Sequence, residues 1–450
     1  MAADPSITAM EAVILRQRIA TGSLTALEVA EAFLANVAER EPQVGAWAFL
    51  DAEYVLNQAR SLDAYRGTGR PLGPLHGIPV GLKDIIDTSG MPTENGTVVD
   101  KARMPAKDAA VVRRLKAAGA VIMGKTKTTE LAYLEPAVTR NPHHPDHTAG
   151  GSSVGSAAAV AAGMVPLAIG TQTGGSVVRP ASYCGVVGYK PSFGMISRAG
   201  ILAQSPSLDT VGVFARSMAD AALLADVLCG DDPEDRSTVR APPPQLLERA
   251  QSDAPVAPAF AFVRTPFWQS AEPGMQAGME EVAALLGEHC FEAELPPAFG
   301  EALAIRETIN LAEMSKCYHR YTLHGESSLS ETIRRALKRG SEIPARDYIA
   351  ALDWPDVLNA GLWAIFGRCD AILTPAAPGP APADRGTTGP STFNGMWTLC
   401  GLPTITLPIL SDESGMPMGV QLVGRRGDDG RLLRTANWLL RFLGVPRREK

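Results

Sequence analysis

The chain has 450 residues, of which 45% are hydrophobic and 20% charged, and a formal net charge of −6. It can bury a sizeable core, which excludes disordered, coiled-coil and collagen-like chains. No basic stripe is available to follow a phosphate backbone, and aromatic residues are only 6%, too few for base stacking, so nucleic acid is not expected as a partner.

The first ten residues lack the basic and apolar regions of a signal peptide, and the longest apolar run, 157–170, contains Pro166 and is too short for a membrane span. A cytoplasmic location without membrane contact is expected. Six cysteines, Cys184, Cys229, Cys290, Cys317, Cys369 and Cys400, form no C-x-x-C pair, which fits neither a zinc site nor a disulfide framework. They are expected to be reduced and mostly buried.

Residues 7–60 carry apolar side chains at helical spacing, interrupted at Thr21-Gly22-Ser23, and Thr25-Ala26-Leu27-Glu28 has the form of a capping box. This segment is expected to be helical. GIPVGL at 77–82 is a buried strand that ends on Lys83. Residues 108–118 predict a helix that stops at Gly119, followed by a strand at 120–123. This alternation indicates an α/β protein.

Small residues at 156–162 suit a tightly packed helix, and 165–169 a strand that leads into Gly170-Thr171-Gln172-Thr173-Gly174-Gly175-Ser176. Residues 231–342 read as mostly helical. The Pro-, Gly- and Ala-rich stretch 375–390 is a loop suited to covering a site, and 403–409 and 420–423 return to strand.

Two glycine-serine clusters, GGSSVGS at 150–156 and TGGS at 173–176, allow close backbone approach and leave N–H groups to converge on an anion. Neither has the lysine or spacing of a phosphate-binding loop. GSSVG at 151–155 formally matches a G-x-S-x-G elbow with Ser153 as nucleophile. That arrangement needs a later catalytic histidine, and the last one, His324, has no such surroundings. A serine can instead be activated by a lysine whose amine is made neutral by burial. Lys83, ending an apolar strand, suits that role. The histidines of HHPDH at 143–147 are interrupted by Pro145, which prevents the helical spacing of common zinc motifs, so they are read as a loop beside the site.

GGSSVGSAAAVAAGMVPLAIGTQTGGSVVRPASYCGVVGYK at 150–190, GIPVGLKDIID at 77–87 and SLDTVG at 207–212 together resemble the amidase signature family. The similarity runs over about 25–226 and again 370–440. The resemblance implies an α/β fold of one large domain, with a mixed twisted β-sheet covered by helices on both sides. A signature core at about 65–226, a divergent, mostly helical insertion at about 231–345 and a C-terminal completion of the sheet at 370–450 are expected.

The resemblance makes Ser176 the nucleophile, Ser152 a proton relay at a cis peptide, and Lys83 the base. Thr173, Gly174, Gly175 and Ser176 would form the oxyanion hole, with no metal and no cofactor. The implied activity is amide hydrolysis through an acyl-enzyme, extending to carbamates (urethanes), anilides and esters. A small-molecule substrate is expected, and a homodimer is compatible with it; the alternatives are one subunit of an amidotransferase that acts with a partner, or a malonamidase-like enzyme restricted to carboxylate-bearing amides.

Val154, Gln172 and Lys127 depart from the commonest family pattern. Arg179 stands where it does in a malonamidase-like branch, in which an arginine reads a substrate carboxylate. Arg179 is a substrate-binding candidate with Gly151 and Gln172, and its other reading is a pairing with an internal carboxylate such as Asp209.

Overall fold

A computed structural model describes residues 5–445. Among them, eleven strands form one sheet: β1 (Trp47–Leu50), β2 (Pro79–Lys83), β3 (Val121–Thr126), β4 (Leu167–Gln172), β5 (Val187–Lys190), β6 (Thr210–Ala215), β7 (Phe260–Val263), β8 (Cys290–Ala293), β9 (Ala371–Pro375), β10 (Thr404–Ser411) and β11 (Pro417–Val423). Their order is β1-β3-β2-β4-β6-β5-β10-β11-β9-β7-β8. The sheet is mixed: β3, β2 and β4 run parallel, as do β9, β7 and β8, while the remaining neighbours are antiparallel.

Every residue of β2, β3, β4 and β6 is buried. Because successive side chains point to opposite faces, the sheet centre is covered on both sides. The chain is thus one large α/β domain.

Four helices matter for the site: α1 (Ala26–Val44), α2 (Val154–Ala161), α3 (Val178–Cys184) and α4 (Ala302–Cys317). The capping box read from sequence starts α1: the Thr25 hydroxyl accepts from Glu28 N at 3.0 Å and Thr25 N donates to the Glu28 carboxylate at 2.7 Å. In α2, a helix of small side chains, residues 154–160 are all buried, so the helix can lie close against the sheet.

One expectation needs correction. The first 60 residues are not wholly helical, because Trp47–Leu50 is a strand on the sheet edge, paired antiparallel with β3. The divergent region, besides its helices, contributes β7 and β8, which close the opposite edge. In both places the strands are only four residues long, so alternation never runs long enough to displace the helical pattern. Among the described residues, no helix is long and apolar enough to cross a membrane. All six cysteines are free, with Cys184, Cys369 and Cys400 buried and the other three partly accessible.

Candidate active site

Strand β2 delivers Lys83 into the interior. Leu82 pairs with Ile169 on the parallel neighbour β4, which brings Thr171, two residues further along, beside the lysine. The Lys83 side chain is wholly buried. Its Nζ donates to Ser152 Oγ at 2.7 Å and to Thr171 Oγ1 at 2.9 Å. Burial pulls the amine down to about 7, against an opposing pull from the Asp209 carboxylate. Near neutral pH, much of this amine is therefore unprotonated.

Ser152 lies in the loop before α2, and the Gly151–Ser152 peptide is cis. Two glycines let other segments close on this loop. Gly150 has φ +83°, and a Cβ there would lie 2.9 Å from Pro180 Cα; one on Gly151 would lie 2.8 Å from the Thr388 methyl group. The loop is also tied to β4, since Ser153 Oγ donates to Thr171 O at 3.1 Å and accepts from Thr171 N at 3.2 Å.

Ser176 sits in the turn between β4 and α3. Residues 171–175 are buried, whereas Ser176 is partly accessible. The turn is held from several sides: Thr173 Oγ1 donates to Asp209 at 2.6 Å, Thr398 Oγ1 donates to Gly174 O at 2.7 Å, and Arg179 N donates to Gly175 O at 2.9 Å. Among the described residues, the N–H groups of Gly174, Gly175 and Ser176 have no hydrogen-bond acceptor. They are left to serve a ligand.

Gln172 is fully buried and its amide is engaged within the protein. Its Oε1 accepts from Val177 N at 2.9 Å and Val178 N at 3.0 Å, and its Nε2 donates to Thr398 Oγ1 at 3.0 Å. It thereby serves as a side-chain cap for α3, whose first N–H groups would otherwise lack acceptors.

Arg179 does not pair with Asp209. The Asp209 carboxylate instead accepts from Thr173 Oγ1 and from Gln204 N and Ser205 N at 2.8 and 2.9 Å. The buried Arg179 donates from Nη2 to Gly151 O at 2.8 Å, binding the first turn of α3 to the loop that carries Ser152.

The histidine-rich segment packs beside this region. His143 Nε2 lies 3.0 Å from Cys184 O, and His147 Nδ1 lies 2.6 Å from Ala381 O in the proline-rich loop. Among the described residues, no three His, Cys, Asp or Glu side chains gather as a metal site. The proline-rich loop does reach the site, through Thr388 against Gly151, and Ser391, just after it, lies against Gly174 and Gly175. Sequence reading misses Asn394 and Arg306, which close on the same two glycines from distant parts of the chain. No local motif marks either residue.

The model of the amidase family matches residues 28–433. The chain belongs to the amidase family. Among relatives of this amidase, a glutamyl-tRNA(Gln) amidotransferase subunit from Chloroflexus aggregans is 33% identical, over 93% of each chain. Among solved structures, a protein of a vestigial complex that bears on the origins of an s-triazine catabolic enzyme is 30% identical. It superposes with a TM-score of 0.90, over 98% of this amidase and 100% of that chain. The peptide amidase of Stenotrophomonas maltophilia is 29% identical, with a TM-score of 0.86 over 98% of both chains.

Proposed function

We propose that this amidase hydrolyses the C–N bond of small amides, with Ser176 as nucleophile, Ser152 as relay and Lys83 as base. The observation that carries the reading is the contact of Lys83 Nζ with Ser152 Oγ at 2.7 Å, made by an amine held near 7. A neutral amine can take the Ser152 proton as Ser152 takes that of Ser176. The Ser176 oxygen then bonds to the carbonyl carbon, and the oxyanion falls to the N–H groups of Thr173, Gly174, Gly175 and Ser176.

The proton returns from Lys83 through Ser152 to the leaving nitrogen. The C–N bond breaks, and the amine departs neutral, leaving an ester on Ser176. Water, deprotonated along the same path, cleaves that ester. Carbamates, anilides and esters pass through the same acyl chemistry.

The curated relatives favour a second reading, in which the chain is one subunit of an amidotransferase and moves an amide nitrogen with partner subunits. One assay separates the two. Ammonia release from primary amides, glutamine among them, is measured with the isolated chain and with Ser176→Ala as blank. Release by the isolated chain that disappears in Ser176→Ala supports the hydrolase. Release only after amidotransferase partner subunits and glutamyl-tRNA are added supports the second reading, and no release under either condition overturns both.

A further inference from the structure

The hydroxyl of Thr398, on the short helix Gly395–Leu399, donates to the Gly174 carbonyl at 2.7 Å across 224 residues of chain. The Gly174–Gly175 peptide is trans and planar, so its C=O and N–H point opposite ways. Holding the oxygen toward Thr398 therefore aims the Gly175 N–H away from it. The next peptide is held in the same manner by helix backbone, since the Gly175 carbonyl accepts from Arg179 N at 2.9 Å.

The first of these two peptides carries no Cβ on either side. Close approach demands this: a Cβ on Gly175 would collide with Asn394 Oδ1, and one on Gly174 would lie 3.3 Å from both Arg306 Nη1 and Ser391 Oγ. The same absence removes the side-chain barrier to rotating the peptide about its flanking bonds. A half-turn would exchange the N–H for the carbonyl, putting a negative dipole where an oxyanion has to sit.

The single hydroxyl proton of Thr398 is committed against that rotation. Its Oγ1 accepts from Gln172 Nε2 at 3.0 Å, and the Gln172 amide is itself oriented by Val177 N and Val178 N, which donate to its Oε1 at 2.9 and 3.0 Å. With that lone pair occupied, the proton lies toward Gly174 O at 2.7 Å, nearer than Asn394 O at 3.2 Å. Thr398 and Gln172 are both buried, so water offers no substitute donor.

We propose that Thr398 is a positioning residue that locks the Gly174–Gly175 peptide with its N–H facing the substrate, so that the turn presents a donor to the oxyanion. The proposal rests on the amidase reading and gives a role in the reaction to a residue that touches neither substrate nor nucleophile.

The test compares full-length wild type, Thr398→Val and Thr398→Ser on a primary amide that the wild-type chain hydrolyses. The probe of the oxyanion is a trifluoromethyl ketone with the same acyl group: Ser176 Oγ adds to its carbonyl carbon, the serine proton leaves toward Ser152, and the ketone oxygen becomes the oxyanion of a hemiketal. Fluorine NMR follows that adduct. Binding of the intact amide is measured by calorimetry in the Ser176→Ala background, with and without Thr398→Val.

Thr398→Val is expected to lower kcat roughly 10- to 100-fold and to weaken the ketone adduct by a similar factor, somewhat less than outright loss of an oxyanion donor. KM and amide binding stay near the wild-type values, and Thr398→Ser, which keeps the proton, restores both kcat and the adduct. Should Thr398→Val not fold, Thr398→Ala removes the same donor without an added methyl group and is read in its place.

An unchanged kcat, an equal loss in amide and ketone binding, or a Thr398→Ser variant as slow as Thr398→Val overturns the proposal. Where the wild-type chain hydrolyses amides and Thr398→Val matches it, the amidase reading stands and the role of Thr398 falls. A wild-type chain with neither turnover nor a Ser176 adduct removes both.

Discussion

Arg179 Nη2 donates to the Gly151 carbonyl at 2.8 Å, so the helix that follows the nucleophile turn holds the loop that carries Ser152. Beside the Ser153–Thr171 hydrogen bonds, this buried cation joins the two halves of the proposed proton path. Replacing Arg179 with leucine removes this clamp and leaves the carbonyl without its donor. Misplacement of a catalytic group by about 1 Å costs on the order of 10²-fold in rate. Arg179→Leu is expected to lose about that much in kcat/KM on acidic and neutral amides alike.

Ser176→Ala and Lys83→Ala each remove a member of one relay. Each is expected to reduce kcat by at least about 10⁴-fold. Ser176 is partly accessible and accepts no protein hydrogen bond among the described residues, so Ser176→Ala should unfold near the wild-type Tm. An active Ser176→Ala enzyme sinks the mechanism.

The pH profile follows from Lys83. Its amine is pulled down to about 7 by burial, and the neutral form is the proposed base. Rate therefore rises with pH: kcat/KM for a neutral amide should climb through about 7 and level off above it. A profile that falls across this range would assign the limiting group to an acid instead.

Asp209 opposes the burial effect by favouring the protonated lysine. Asp209→Asn removes that negative charge, so the Lys83 amine loses its proton more readily and the acid limb of the profile moves to lower pH. The amide keeps an acceptor for Thr173, Gln204 or Ser205, which favours retention of the turn. An unmoved limb would show that Asp209 does not act on the base.

Away from the site, Asp220 holds the N-terminal helix Ala12–Thr21 to the core. Its buried carboxylate accepts from Ala12 N at 2.8 Å and Val13 N at 2.9 Å. Asp220→Ala should cost about 1–2 kcal/mol, as other lost caps do, and lower the Tm while leaving kcat/KM near the wild-type value.

Lys83 is legible in the sequence through the motif GIPVGLKDIID that carries it, because its place at the end of an apolar strand is shared by the buried Lys190 and does not single it out. The serine-bearing turns are legible because clustered glycines mark close backbone approach. Thr25 and Glu28 announce a helix start through purely local chemistry. Gln172 is different: its position suggests substrate contact, yet its amide caps α3, and only the three-dimensional path of the turn reveals this. Arg306 lies 130 residues beyond Ser176 on an ordinary amphipathic helix, and nothing in its neighbours points toward the turn. Strands β1, β7 and β8 escape for a similar reason, since their partners are remote and their own length is slight.

The sheet divides the labour of the molecule by chain segment. The proposed base, relay and nucleophile arrive on β2, the loop before α2 and the turn after β4, all within the first 180 residues, while Arg306 arrives on α4 from the region that also closes the far edge of the sheet. Substitutions at the site-facing positions of α4 are therefore expected to change what packs against the Gly174 turn while the proposed reaction apparatus, carried by another part of the chain, stays in place.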